Sequence, residues 1–259
     1  MQMLQNAGAC EYCKETHLKK QEILDTGDTM RYKSVQEGIF LRRPNRFIAH
    51  VITEGKEEVC HVKNTGRCKE LLIPGAKVYL EKSSNPNRKT KFDVIGVEKG
   101  NLLINMDSQI PNKAAGEWLA KGNLFSGSAL IRPETKYGNS RFDFYVEDCG
   151  RKAFLEVKGV TLEDEKTAKF PDAPTLRGVK HVLELGECVR AGYEAYLLFV
   201  IQMKGVRKMM PNWETHPEFG EALIKARDQG VHILAYDCLV EADRIEIMDA
   251  VPVSLERPE

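Results

Sequence analysis

The chain has 259 residues, 42% hydrophobic and 29% charged, with Lys plus Arg and Asp plus Glu equal at 38 each. At roughly 150 residues per domain this suggests one large or two modest domains, with enough apolar material for a core and too much for a disordered chain. The most apolar run, residues 195–203, is far short of the roughly 20 residues a bilayer span needs, and Glu11, Glu15 and Glu22 stand where a secretory signal would be apolar. A cytoplasmic protein with no membrane partner is therefore expected. The seven cysteines are odd in number and scattered, unlike a secreted disulfide framework. Cys10, Cys13 and His17 could supply three metal ligands where structural zinc needs four, so incidental thiols are the favoured reading.

In chain order, residues 1–29 are polar and read as an extension outside the fold. Short strands follow at 38–42, 46–53, 58–62, 77–81, 92–98 and 102–105, separated by turn residues such as Pro44-Asn45, Gly55 and Pro74-Gly75. That spacing argues for a small barrel or sandwich over residues 30–112. After Pro111 the pattern changes. A helix is expected over 114–121, strands over 141–147 and 151–157, a helix over 176–191 and a buried strand over 195–203. A helix over 218–229 and strands over 231–236 and 244–248 complete an α/β unit, residues 113–259, with helices covering a mixed sheet. Residues 30–112 hold 15 Lys and Arg against 9 Asp and Glu, whereas residues 113–259 hold 20 against 24. A basic module beside an acidic one fits a division of labour, the first tracking a polyanion and the second holding cations.

The chemistry concentrates in Ser140-Arg141-Phe142-Asp143-Phe144 and Phe154-Leu155-Glu156-Val157-Lys158. Alternate residues of a strand share a face, so Glu156 and Lys158 point together. A hairpin centred on Cys149-Gly150 pairs Asp148 with Arg151 and sets Asp143 opposite Glu156. Two facing carboxylates repel unless a cation lies between them. Hard oxygen ligands suit Mg²⁺ or Mn²⁺, with the Val157 carbonyl and the upstream Glu134 as further candidate ligands. Such an ion lowers the pKa of a bound water, and Lys158 can stabilise the charge of a phosphodiester transition state. Arg177, Lys180 and His181 share a helix side at i, i+3 and i+4, either to contact phosphate or as a solvated face.

Asp143 with Glu156-x-Lys158 resembles the PD-(D/E)xK nuclease superfamily. The wider run resembles the sugar fermentation stimulation protein family: Arg43-Pro-Asn-Arg46-Phe, Asn64-Thr-Gly66, Ile73-Pro74-Gly75, Phe170-Pro-Asp172-Ala and Arg177-Gly178-x-Lys180-His181. The resemblance covers residues 30–255. It implies an OB barrel followed by a restriction-endonuclease-like mixed sheet flanked by helices, and a link to DNA binding. It makes Asp143 and Glu156 metal ligands and Lys158 the catalytic lysine. Glu134 becomes a helix-borne acidic residue, and Gln202 a polar site residue ending the buried strand. On an OB barrel, Arg42, Arg43, Arg46 and Arg67 are candidate nucleic-acid contacts, and the loop bearing Arg88, Lys89 and Lys91 adds charge. Phe47 is expected in the core rather than as a stacking platform, and residues 64–67 read either as a phosphate cradle or as a plain turn. The leading expectation is a metal-dependent nuclease acting on DNA. The alternative is a non-catalytic DNA-binding regulator of sugar metabolism genes. A sugar-phosphate enzyme is disfavoured because no G-x-x-x-x-G-K loop precedes a helix.

Overall fold

The computed structural model describes residues 30–64 and 66–258. The expected tail with Cys10, Cys13 and His17 lies outside them, as does Thr65. Five strands form the first unit: β1 (Val35–Asn45), β2 (Ile48–Thr53), β3 (Lys56–Val62), β4 (Lys77–Lys82) and β5 (Phe92–Lys99). They run in the order β3-β2-β1-β4-β5, and β3 pairs with β5 to close the OB barrel. Register shifts along β1 bend it between its two partners, as bulges do in small barrels. Alternate residues point inward, so Phe40, Val51, Val62, Leu80 and Val94 fill the interior. A sixth strand, β6 (Leu102–Asn105), extends the sheet beside β5.

The second unit starts earlier than expected. Helix α1 spans Ile110–Ala120, so the boundary precedes residue 110 instead of following 112. Pro111 stands in its first turn, where a missing N–H costs nothing. The mixed sheet comprises β7 (Leu130–Tyr137), β8 (Ser140–Asp148), β9 (Arg151–Val160), β12 (Glu194–Ile201), β14 (His232–Glu241) and β15 (Arg244–Ala250), in the order β15-β14-β12-β9-β8-β7. Strands β9, β12 and β14 are mutually parallel, and the outer pairings are antiparallel. Helix α1 covers one face, where Ala114 and Trp118 meet Phe144, Leu155, Val157 and Leu198. Helices α2 (Leu176–Arg190) and α3 (Pro217–Asp228) cover the other through Val182, Leu185 and Phe219. Three short strands, β10 (Leu162–Asp164), β11 (Thr167–Phe170) and β13 (Lys208–Pro211), form a small sheet that sequence patterning did not reveal. Among the described residues, no helix is long and apolar enough to cross a membrane.

The two units are tied together. Phe40, Val51 and Leu80 of the barrel belong to the same continuous cluster as Leu197, Phe199 and Phe219. The backbone N–H of Tyr32, ahead of the barrel, donates to the Asp243 carbonyl at 2.8 Å. Gln202, immediately after β12, gives its amide Nε2 to the carbonyls of Asn105 and Asp107 and to Asn105 Oδ1 at 3.0–3.1 Å. Its amide donors are therefore engaged at the joint between the units, where the sequence reading expects a polar site residue.

Candidate metal centre and nucleic-acid face

The turn between β8 and β9 has the expected form. Cys149 and Gly150 have φ of 48° and 85°, both left-handed, which matches the twist of a two-residue hairpin. The register follows, with Asp148 opposite Arg151 and Phe144 opposite Leu155. There the ladder stops, one residue short of the expected Asp143–Glu156 pair. Phe142 and Tyr145 pack into one core while Phe144 and Val146 pack into the other, so the alternation slips at Asp143. Rather than facing Glu156 across a regular ladder, Asp143 puts its carboxylate into the break. Oδ2 accepts the Val157 N–H at 2.7 Å, and Oδ1 accepts Asn112 Nδ2 of α1 at 2.6 Å.

Glu156 and Lys158 share a face as expected, and Lys158 Nζ pairs with Glu156 Oε1. The same oxygen meets His181 Nδ1 of α2 at 2.5 Å. Glu156 is only 3% exposed, and its second oxygen, Oε2, is buried with no hydrogen-bond partner. Burial works to raise the Glu156 pKa, but the hydrogen bond from His181 and the charge of Lys158 outweigh it and hold the carboxyl below its ordinary value. Asp143 moves the other way. Burial, with the negative charge of Glu156 behind it, pushes it up to about 6 against the Val157 N–H, Lys158 and Asn112. One carboxylate firmly ionised beside another that resists ionisation is an arrangement a divalent cation would relieve.

The two helical layers thus converge on the break between β8 and β9, α1 through Asn112 and α2 through His181. His181 is buried, which fits neither of its expected readings, a phosphate contact or part of a solvated face. Its position three residues after Gly178 and four before Leu185, both buried, was the available signal. Asn112 was missed altogether. The only hint was a polar residue in the first turn of a helix opened by proline. Glu134 is not helix-borne. It sits in β7 with φ of 53°, exposed, and pairs with Arg141 Nε at 2.8 Å. Val157 meets Asp143 through its N–H.

Among the described residues no three His, Cys, Asp or Glu side chains form a ready-made metal cage. The chemistry present fits a different type of site. Mg²⁺ keeps several waters and takes one or two carboxylates, and here the bare Glu156 Oε2 and the remaining lone pairs of Asp143 are available.

The expected basic contacts divide into spent and accessible groups. Arg42 pairs with Glu57 at 2.8 Å and also meets His50. Arg43 donates to the backbone carbonyls of Arg46, Asn64 and Arg67, so it braces the loop between β3 and β4. In that loop the Gly66 N–H goes to Asn64 Oδ1 and the Cys68 N–H to Asp172 Oδ2, the latter tying it to the second unit. Arg88 is held by Asp93 and Lys91 by Glu58. Arg46 remains exposed, its guanidinium 5.1 Å from the centre of the Phe47 ring. Phe47 is 46% exposed, which overturns its expected burial. Arg67 and Arg177 are exposed, and Arg177 Nε reaches His181 Nε2 at 3.4 Å. Lys180 is exposed and donates to the Asn139 carbonyl.

Comparison with known proteins agrees with the two-part architecture. Residues 41–106 match the family model of the SfsA N-terminal OB domain, and residues 109–244 match that of the sugar fermentation stimulation protein RE domain. The chain belongs to the sugar fermentation stimulation protein family. Curated family relatives from Clostridium beijerinckii and Ruminiclostridium cellulolyticum are each 60% identical over 226 residues, covering 87% of this chain and all of theirs. A solved family structure, described as Pyrococcus furiosus SfsA in complex with Ca²⁺, superposes with a TM-score of 0.79 at 29% identity. That match covers 87% of this chain and 98% of the other.

Proposed function

We propose that the protein is a divalent-metal-dependent nuclease that hydrolyses phosphodiester bonds, DNA being the favoured substrate. The observation that carries this reading is the buried, unpartnered Oε2 of Glu156 beside the reluctant carboxyl of Asp143. Leaving such a group buried without a partner is costly, and a cation removes the cost. The family relative described with Ca²⁺ is a second support. Asp143, Glu156 and the Val157 carbonyl would hold Mg²⁺ or Mn²⁺, which when bound would acidify a water and neutralise charge on the phosphate. Lys158, fixed against Glu156, supplies a positive charge near the reacting phosphate, where little reorganisation is needed. Asn112 holds Asp143 in position from α1. Arg46 and Phe47 offer a charge and a ring face to an unpaired base, while Arg67, Arg177 and Lys180 offer charge to the backbone.

The alternative, a binding-only regulator of sugar metabolism genes, draws on one observation: Glu134, the third expected carboxylate, is engaged by Arg141. Incubating purified protein with single- and double-stranded DNA and RNA, with Mg²⁺, Mn²⁺ or EDTA, separates the two. The nuclease reading expects metal-dependent cleavage that drops at least ~100-fold in Asp143→Ala and Lys158→Ala. Cleavage indifferent to EDTA or to both substitutions defeats it. Binding without cleavage under every condition favours the regulator.

A further inference from the structure

We infer that His181 is a positioning residue that makes Glu156 a one-oxygen ligand, dedicating Oε1 to the protein and Oε2 to a cation. This rests on the metal-site reading above. An ionised carboxylate can only accept, so His181 Nδ1, 2.5 Å from Glu156 Oε1, carries the proton. Arg177 Nε can only donate, so at 3.4 Å it finds Nε2 as an acceptor. The two neighbours fix the orientation of the ring between them. Lys158 occupies the same Oε1, and Glu156 Oε2 is left buried without a partner.

Rotating the carboxylate to offer both oxygens would break two charge-assisted contacts inside a closed environment. The site therefore suits an ion that accepts one oxygen per carboxylate in a compact octahedron, as Mg²⁺ does and Mn²⁺ can. Ca²⁺ readily takes two oxygens from one carboxylate. Arg177, although exposed, acts through His181 rather than through substrate alone. The motif Arg177-Gly178-x-Lys180-His181 thus splits its work, with Lys180 facing outward and His181 inward.

Calorimetric titration of the full chain with Mn²⁺ and with Ca²⁺ tests this without relying on activity. His181→Asn keeps a donor where Nδ1–H stands, whereas His181→Gln places its amide nearer the position of Nε2. The expected result is that His181→Ala and His181→Gln weaken Mn²⁺ binding about 10–100-fold while His181→Asn stays near wild type. The Ca²⁺ loss is expected to be the smaller. Arg177→Ala, changed at an exposed position, keeps the fold intact and weakens Mn²⁺ in the same direction by less. Equal affinities in the Asn and Gln variants, an unchanged Ala variant, or equal losses for both ions overturn the assignment while leaving the metal reading standing. Absence of any ion binding by the wild-type chain overturns both.

Discussion

Glu156 matters because its two oxygens have different surroundings, one crowded with donors and one bare. Covalent spacing along a strand brings Lys158 to the same face, so that part of the site was legible as Glu-x-Lys. His181 was visible only as one of three polar residues on a helix. Its burial depends on how α2 lies across β9, which no local spacing encodes. The β9–β12 pair holds a second charged contact, where Arg151 grips both oxygens of Glu194 at 2.7 Å. Hydrogen bonds from Arg151 chiefly, and from the Tyr196 hydroxyl, outweigh burial and hold Glu194 down to about 2. A carboxylate depressed in the fold contributes stability above its unfolded pKa and loses it as pH falls through the folded value. Because the pair is partly exposed, solvent screening limits its contribution to about 1 kcal/mol. Glu194→Gln is therefore expected to cost that much near neutral pH. In urea melts at stepped pH the difference should shrink from the normal glutamate range downward. A difference that stays constant down to about pH 3 refutes this.

At the scale of elements, the β8–β9 hairpin is the device that aims the site. Its turn needs left-handed backbone at both central positions, and a Cβ on Gly150 would meet nothing within 4 Å. Any cost of Gly150→Ala is thus purely conformational, about 1 kcal/mol. Denaturant unfolding is expected to show that loss with unchanged ion affinity, since the turn lies at the far end of the hairpin from Asp143. An ion affinity that falls with stability would show that the break at Asp143 depends on the turn. The hairpin and its register were readable from the sequence. The slip at Asp143 was not, because it depends on a carboxylate competing successfully with a backbone carbonyl for the Val157 N–H. Strand β7 escaped notice for a related reason: Pro133 and the left-handed Glu134 blur its alternation, which an edge strand tolerates.

Taken whole, the molecule joins barrel and mixed sheet through polar as well as apolar contacts. Gln202 gives one amide group to acceptors on both Asn105 and Asp107. A Cβ at Gly159 would lie 2.5 Å from Gln202 Oε1 and 2.6 Å from Pro111 Cγ, so the joint also requires that glycine. With the hydrophobic cluster running through both units, calorimetry is expected to show a single unfolding transition. Gln202→Leu leaves buried carbonyls unpaired and is expected to cost about 2 kcal/mol. Two resolved transitions in the wild type would show that the units unfold separately. The basic surplus of the barrel also reads differently in three dimensions. Arg42, Arg43, Arg88 and Lys91 have partners within the protein, which leaves Arg46 beside the exposed Phe47 ring, Arg67 and Lys89 as the accessible part of the expected set.

By itself the sequence determined the strand-rich first unit, the α/β second unit, the β8–β9 hairpin and the pairing of Glu156 with Lys158. All of these follow from periodicity, turn chemistry and bond geometry acting over a few residues. The tertiary structure alone decided that Asn112 and His181 bond to Asp143 and Glu156, that Glu134 pairs with Arg141, and that Gln202 serves the joint. It also decided that Phe47 faces solvent. Those outcomes depend on which distant segment supplies a hydrogen-bond partner, and for a buried polar group that choice is set by packing rather than by its neighbours along the chain.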